Sequence, residues 1–280
     1  MSVWVCPLGK CAAMVGSHSV CFDRAADFYD ATRSFPPGVD EAIADAILAA
    51  VEATPETHFL EVGIGTGRIA LPLIRRGYSY SGIDISERML AVLRHKIQQS
   101  LGQMPPQVHL QMADATNLPF REQCFDAVIT VHVLHLIREW QQAIGEIRRV
   151  LKPGGVYLYG YGERVMSARH SFEARWTGIL AELGFESQQV GADAEQVEAL
   201  LQSQGAHVEQ RTAAEWQTAI AAQALFDLYA QRCYSSSWPI PEEIFQAAIA
   251  RLRAWFGETY PDPKAILLGE SRFQMLLARW

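Results

Sequence analysis

Several features that mark common protein classes are missing from this chain of 280 residues. No apolar run reaches the roughly 20 residues that a membrane span needs. The first residues also lack the charged start and apolar stretch of a secretory signal. There is no long basic cluster, and 24 Lys and Arg against 31 Asp and Glu leave a net charge of -7. We therefore expect a soluble, cytoplasmic protein that binds neither a membrane nor a nucleic-acid backbone.

Cysteine pairs with metal-binding spacing are absent as well. The chain has 5 Cys, an odd number, and no CxxC pair, which favours reduced thiols over a disulfide framework. Cys6, Cys11 and Cys21 lie near the start together with His18. A metal site there is an alternative, but the irregular spacing is not typical of one. We predict no metal site, a flexible leader at residues 1–21, and one folded domain at residues 22–280.

The most informative segment present is a glycine-rich turn at residues 60–70, LEVGIGTGRIA. An apolar strand ends at Val62, and Gly63, Gly65 and Gly67 follow before an apolar helix. Glycine lets the main chain turn tightly and lets a ligand approach the backbone. A dinucleotide fingerprint, GxGxxG, would place its third glycine where Arg68 stands. The turn therefore indicates a nucleotide-like ligand, and an ordinary turn of another α/β protein is the alternative.

Glu61 precedes the first glycine by two residues, so the turn has the pattern (E/D)xGxGxG. This pattern resembles motif I of the class I S-adenosylmethionine-dependent methyltransferases. Four further segments follow in that family's order: YSYSGIDIS with Asp84, VHLQMADATNLPF with Asp114, FDAVITVHVLHLI, and RRVLKPGGVYLYGYG. The resemblance covers residues 22–161. It implies an α/β fold with a doubly wound, seven-stranded, mostly parallel sheet, S-adenosyl-L-methionine as cofactor and a small molecule as methyl acceptor.

The resemblance also assigns roles to individual residues. Asp84 would accept hydrogen bonds from both ribose hydroxyls, and Asp114 would accept one from the adenine amino group. Tyr29 and Arg33 would lie near the methionine carboxylate and the acceptor. The predicted cofactor-binding residues are Tyr29, Arg33, Glu61, Gly63, Gly65, Gly67, Asp84, Met89, Asp114, Ala115 and Val131. Structural alternatives are a helix start for Asp84, a turn for Asp114 and core packing for Tyr29.

Two residues are candidates for proton transfer, His132 after the fourth predicted strand and Glu163 after the fifth. Both follow the carboxyl end of a parallel strand, where ligands bind in such sheets. The alternative for His132 is a place in the adenosine pocket without proton transfer. A general base is optional, because a sulfonium already activates the methyl group and the protein mainly binds, orients and excludes water.

Downstream of Gly162 the pattern changes from strands to helices. Residues 171–183 and 193–203 are predicted helices, and residues 205–213 and 271–280 are the last two predicted strands. Between these strands, residues of about 214–265 form a predicted helical insertion that is rich in aromatic residues. We expect this insertion to be a lid over an apolar or aromatic acceptor, with Tyr234 and Trp238 contacting the acceptor.

Two other functions are compatible with these patterns. A protein that binds the cofactor without turnover would not release S-adenosylhomocysteine. An NAD-dependent oxidoreductase, which the glycine spacing favours less, would bind NAD in competition with S-adenosylmethionine.

Overall fold

One sheet organises the molecule, and its central strands are buried on both faces. The structure, a computed structural model, describes residues 19–186 and 190–280, without the side chains of residues 165–169. The strands are β1 (His58–Val62), β2 (Ser79–Asp84), β3 (Val108–Met112), β4 (Phe125–Val131), β5 (Leu151–Ser167), β6 (His207–Ala221) and β7 (Ile266–Arg279). Burial runs through β1 and β4 without the alternation of a half-exposed strand. This is typical of parallel strands covered by helices on both sides.

The strand order is β3-β2-β1-β4-β5-β7-β6. Strands β1 to β5 pair in parallel, and β7 runs antiparallel to both of its neighbours. The chain moves from β1 outward to β3 and then crosses to β4, so its direction of winding reverses between β1 and β4. Ligands of doubly wound sheets bind at such a point, beyond the carboxyl ends of the strands. The predicted fold class is confirmed.

Helices cover both faces of the sheet. They are α1 (Tyr29–Arg33), α2 (Val39–Ala50), α3 (Ala70–Arg75), α4 (Glu87–Leu101), α5 (Trp140–Val150), α6 (Ala168–Glu182), α7 (Ala194–Ser203), α8 (Ala222–Ala230) and α9 (Glu242–Thr259). One apolar core joins α2, α3 and α4 to the sheet, and a second core joins α5 and α7 to the other face. Within the described ranges, no helix combines the length and apolarity needed to cross a membrane.

Three helices, α6, α8 and α9, form a separate apolar cluster, which we name the three-helix cap. We predicted that the helical insertion begins at about residue 214, and this boundary is wrong. Strand β6 continues to Ala221, because it pairs with β7 as far as the Ala221–Ile266 pair. Trp216 consequently lies in a strand, with its ring 5.6 Å from that of Phe35. The cap also includes α6, since Phe172 and Trp176 are buried in the same cluster.

Candidate functional site

The turn after β1 is held by hydrogen bonds that its N–H groups donate to β2. The main-chain N–H groups of Gly63 and Ile64 both donate to the carbonyl oxygen of Ile83 at 2.9 Å. The N–H of Gly65 donates to Oδ2 of Asp84, also at 2.9 Å. These bonds fix the turn at the carboxyl edge of the sheet, beside the point where the winding reverses.

The three glycines of the turn have different roles, although each has a positive φ. A Cβ at Gly67 would overlap Leu93 of α4, and one at Gly63 would come within 2.5 Å of Val133. A Cβ at Gly65 would meet no atom within 4 Å, and Gly65 lines an open cleft. Gly65 is therefore the position at which a side chain would fill ligand space. The prediction of ligand approach is wrong for Gly67, because its missing side chain makes room for α4.

The cleft beside this turn has about 650 Å³ of space including its open mouth. Its walls are mostly apolar, and Asp84 supplies a carboxylate. The predicted site residues that line it are Tyr29, Gly63, Gly65, Asp84, Met89, Ala115, Val131 and His132. Those that do not line it are Arg33, Glu61, Gly67, Asp114, Glu163, Tyr234 and Trp238. The structure thus brings most of the predicted cofactor residues together.

Asp84 is anchored through both carboxylate oxygens. In addition to the bond from Gly65, Oδ1 accepts the N–H of Ser86 at 2.8 Å. Burial raises the pKa of Asp84, while these two N–H donors lower it, and nearby Asp23 raises it. Asp23 in turn accepts a hydrogen bond from the Ser86 hydroxyl. The carboxylate of Asp84 is thereby oriented at the cleft, where its remaining lone pairs can accept hydrogen bonds from ligand hydroxyls.

Two other predicted acidic residues lie outside the cleft lining. Oδ1 of Asp114 accepts bonds from the N–H and the hydroxyl of Thr116, at 2.9 and 2.8 Å, and so holds its own turn. Glu61 is 2% exposed and accepts a hydrogen bond from the Tyr80 hydroxyl at 2.7 Å. Burial raises the pKa of Glu61 to about 8. Glu61 therefore supports the turn from within the core.

His132 lines the cleft next to the glycine turn. Its φ of 51° lies in the left-handed region, which is uncommon for residues other than glycine. Its Nε2 accepts the N–H of Gly162 at 3.2 Å, which requires that nitrogen to be unprotonated. Burial lowers the pKa of His132 well below its usual value, and Arg68 lowers it further. The ring is therefore neutral, and its one acceptor nitrogen is already engaged.

The structure does not bring Glu163 to the cleft, and this prediction is wrong. A Cβ at Gly162 would approach the His132 ring at 3.4 Å, so that face of β5 points toward the cleft. Glu163 is the next residue of the strand, and successive side chains point to opposite faces. Its Oε2 accepts a hydrogen bond from the amide nitrogen of Gln274 on β7 at 2.9 Å.

The segment before α1 closes one side of the cleft. Ser19 forms an antiparallel bridge with Ile137, and the N–H of Val20 donates to the carbonyl oxygen of Leu136 at 3.1 Å. Ser19, Val20 and Phe22 all line the cleft. The predicted leader, residues 1–21, therefore overlaps the site, because the pairing of residue 19 with residue 137 has no local sequence signal.

The suggested cysteine cluster falls mostly outside the described residues, which exclude Cys6, Cys11 and His18. Cys21 is half-buried. In residues 19–186 and 190–280, no group of three or more His, Cys, Asp or Glu side chains is placed to hold a metal ion.

The segment between α8 and α9 contacts α1 and the residues that precede α1. Arg33 donates from Nη2 to the carbonyl oxygen of Cys233 at 3.0 Å, and its guanidinium lies 5.1 Å from the centre of the Tyr29 ring. The Trp238 ring packs 4.8 Å from that of Phe22, which lines the cleft. Trp238 itself lines neither this cleft nor the pocket described next. We predicted that Trp238 contacts the acceptor, whereas in the structure it packs against Phe22 in the wall of the cleft.

A second pocket lies within the cap, between α6 and the segment that follows α8, with about 1220 Å³ of space including its open mouth. Trp176, Tyr229 and Tyr234 form aromatic walls, and Arg164 at the end of β5 contributes a cation. Tyr234, predicted to contact the acceptor, thus belongs to this pocket and not to the cleft. Arg164 was missed because it belongs to no local motif.

This chain is similar in sequence to known methyltransferases. Residues 60–159 match a family described as a methyltransferase domain. An uncharacterized methyltransferase of Mycobacterium bovis is 30% identical over 223 residues, which cover 79% of this chain and 80% of that protein. A demethylmenaquinone methyltransferase of Streptomyces avermitilis is 33% identical over 135 residues, or 48% of this chain and 55% of that protein. The chain spans about half the length of this and several other curated methyltransferases that it matches.

Solved structures share the fold at lower sequence identity. Phosphoethanolamine N-methyltransferase 2 of Haemonchus contortus has a TM-score of 0.53 and 15% identity. The superposition covers 92% of this chain and 57% of that chain.

Proposed function

We propose that this chain, which belongs to the class I S-adenosylmethionine-dependent methyltransferases, binds S-adenosyl-L-methionine in the cleft beside β1 and methylates a small molecule. The observation that carries the proposal is the combination of Gly65 and Asp84. Gly65 leaves open space where any side chain would enter the cleft, and an anchored carboxylate lines the same cleft.

The residues of the cleft suit this cofactor. Asp84 would hold the ribose hydroxyls, because an ionised carboxylate accepts several hydrogen bonds. Met89, Ala115 and Val131 would provide apolar contacts to the adenine ring. Tyr29 would lie at the methionine end, with Arg33 behind it. When bound, the cofactor supplies a methyl group that its sulfonium charge activates.

The chain itself contributes binding, orientation and exclusion of water. Holding two reactants in a productive geometry can lower a barrier by roughly 7–11 kcal/mol. The bond from Arg33 to the carbonyl of Cys233 and the packing of Trp238 on Phe22 hold the segment between α8 and α9 against residues 22–33. His132, neutral and engaged with Gly162, positions the cleft wall and does not take a proton in this proposal.

An aromatic or apolar acceptor is supported by two observations. The second pocket has aromatic walls, and such walls favour flat apolar groups. The name of the Streptomyces relative also refers to demethylmenaquinone, so a quinone-type ring is one acceptor to include in a screen.

A product screen tests the proposal. The protein is incubated with S-adenosylmethionine that carries a deuterated methyl group and with separate classes of small molecules, and products are detected by mass. We expect one class to acquire the label with stoichiometric release of S-adenosylhomocysteine. Cofactor binding without label transfer to any class would favour the non-catalytic alternative, and competition by NAD would favour an oxidoreductase.

A further inference from the structure

The pocket inside the three-helix cap has rigid aromatic walls. Trp176 is 5% exposed and Tyr229 is 8% exposed, and their ring centres lie 5.6 Å apart. Tyr234 packs against Tyr229 at 4.9 Å. Adjacent aromatic rings of this kind offer flat apolar surface to a flat molecule.

Arg164 connects this pocket to the cleft. It lies two residues beyond Gly162 in the regular pairing of β5 with β7, so the two residues share one face of the strand, separated by about 7 Å. That face points toward His132, since a Cβ at Gly162 would meet the His132 ring at 3.4 Å. His132 lines the cleft and Arg164 lines the pocket. Strand β5 therefore places Arg164 of the pocket about 7 Å along the strand from Gly162, which contacts His132 of the cleft.

Three arginines, Arg33, Arg68 and Arg164, lie around His132 at this junction. Among the described residues, Arg33, Arg68 and Arg164 form no ion pair with a carboxylate. Arg68, Arg164 and Arg33 all lower the pKa of His132 beyond the effect of burial, so each lies close enough to act on its ring. The pocket also has two carboxylates, Glu173 on α6 and Glu186 in the segment after it, and these side chains are exposed, as is Arg164.

We propose that the pocket in the three-helix cap holds the methyl acceptor as an aromatic anion, with its acidic group paired with Arg164 beside the cleft. The planar guanidinium suits a carboxylate or a phenolate because it can donate two parallel hydrogen bonds. This inference rests on the proposed methyltransferase function and adds the class of acceptor to it.

An anionic acceptor also agrees with the proton chemistry of the site. A phenolate or carboxylate oxygen already carries the electron pair of the new carbon–oxygen bond. The electron pair of the breaking carbon–sulfur bond stays on sulfur, and no proton has to leave. The site therefore does not require His132 or Glu163 as a base.

Three probes with one ring system and different charges test the inference at neutral pH: 2-naphthoate, 2-naphthylmethanol and 2-naphthylmethylammonium. Their affinities are measured by calorimetry on the whole protein in the presence of S-adenosylhomocysteine. We expect 2-naphthoate to bind at least tenfold more tightly than the alcohol and the ammonium to bind most weakly. Tightest binding of the ammonium, equal binding of all three, or binding of none would overturn the inference.

Two matched variants of the pocket locate the effect. Arg164→Gln should weaken 2-naphthoate at least fivefold and leave the alcohol within twofold of the unmodified protein. Glu173→Gln removes a charge from the other wall and should preserve the preference for the anion. An Arg164→Gln variant that keeps the full preference would overturn the inference.

The same titrations separate this inference from the proposed function. S-adenosylhomocysteine is titrated into each variant before any probe is added. If it binds normally and the probes show no preference for the anion, only the acceptor class is wrong. If it does not bind the unmodified protein at all, the methyltransferase proposal itself fails.

Discussion

Replacing Asp84 with alanine removes a carboxylate that has two roles in the structure. It accepts the N–H groups of Gly65 and Ser86 at 2.9 and 2.8 Å, and it lines the cleft. A hydrogen bond to a charged group contributes roughly 1.5–3 kcal/mol. Asp84→Ala should therefore weaken binding of S-adenosylhomocysteine by roughly 10- to 100-fold. The free energy of unfolding should also fall by about 1–3 kcal/mol, because backbone N–H groups lose their acceptor.

Calorimetric titration measures the affinity, and circular dichroism on heating measures the stability. Asp126→Ala is the matched control, because Asp126 accepts the N–H of His58 at 2.9 Å and pairs with Lys152, but at the opposite edge of the sheet. The control should lose stability and keep its affinity. If Asp84→Ala binds the ligand as tightly as the control does, Asp84 is not the ribose-binding residue and the reasoning is refuted.

Five further substitutions address the other parts of the site. Gly67→Ala should lower the melting temperature by several degrees, because its methyl group would overlap Leu93; unchanged melting would show that α4 can move aside. For Glu61, the folded state holds a proton that the unfolded chain releases, so the free energy of unfolding should fall as pH rises from about 4.5 to about 8. Glu61→Gln should flatten this slope in denaturant titrations, and an unaltered slope would contradict the assignment. His132→Asn should reduce turnover less than tenfold, whereas loss of a general base costs roughly 10²- to 10⁴-fold. Trp238→Ala should weaken cofactor binding, in contrast to Tyr234→Phe, because Trp238 packs on the cleft wall; equal effects in calorimetry would place both side chains in one site.

The sheet and the glycine turn were predictable because their signals are local. The apolar runs of the central strands, the spacing of Gly63 and Gly65, and the position of Asp84 at a strand end can all be identified within short segments. Because the strands are parallel, these segments also indicate that the ligand binds at the carboxyl ends of the strands. Seven of the eleven predicted cofactor-binding residues accordingly line the cleft.

The parts that the sequence did not predict depend on partners distant along the chain. Glu163 faces Gln274, which is 111 residues away, and no local pattern reveals which face of β5 points inward. The continuation of β6 to Ala221 depends on its pairing with β7. The pocket in the three-helix cap joins α6 to the segment after α8, so Arg164 gains a role only through tertiary structure.

The central claim is that the cleft beside β1 is an S-adenosylmethionine site. Titration calorimetry of the unmodified protein with S-adenosylhomocysteine, followed by a titration with NAD, tests this claim most directly. The account predicts one ligand per chain at micromolar or tighter affinity for S-adenosylhomocysteine, and no heat from NAD. Absence of binding by S-adenosylhomocysteine, or displacement of it by NAD, would contradict the account.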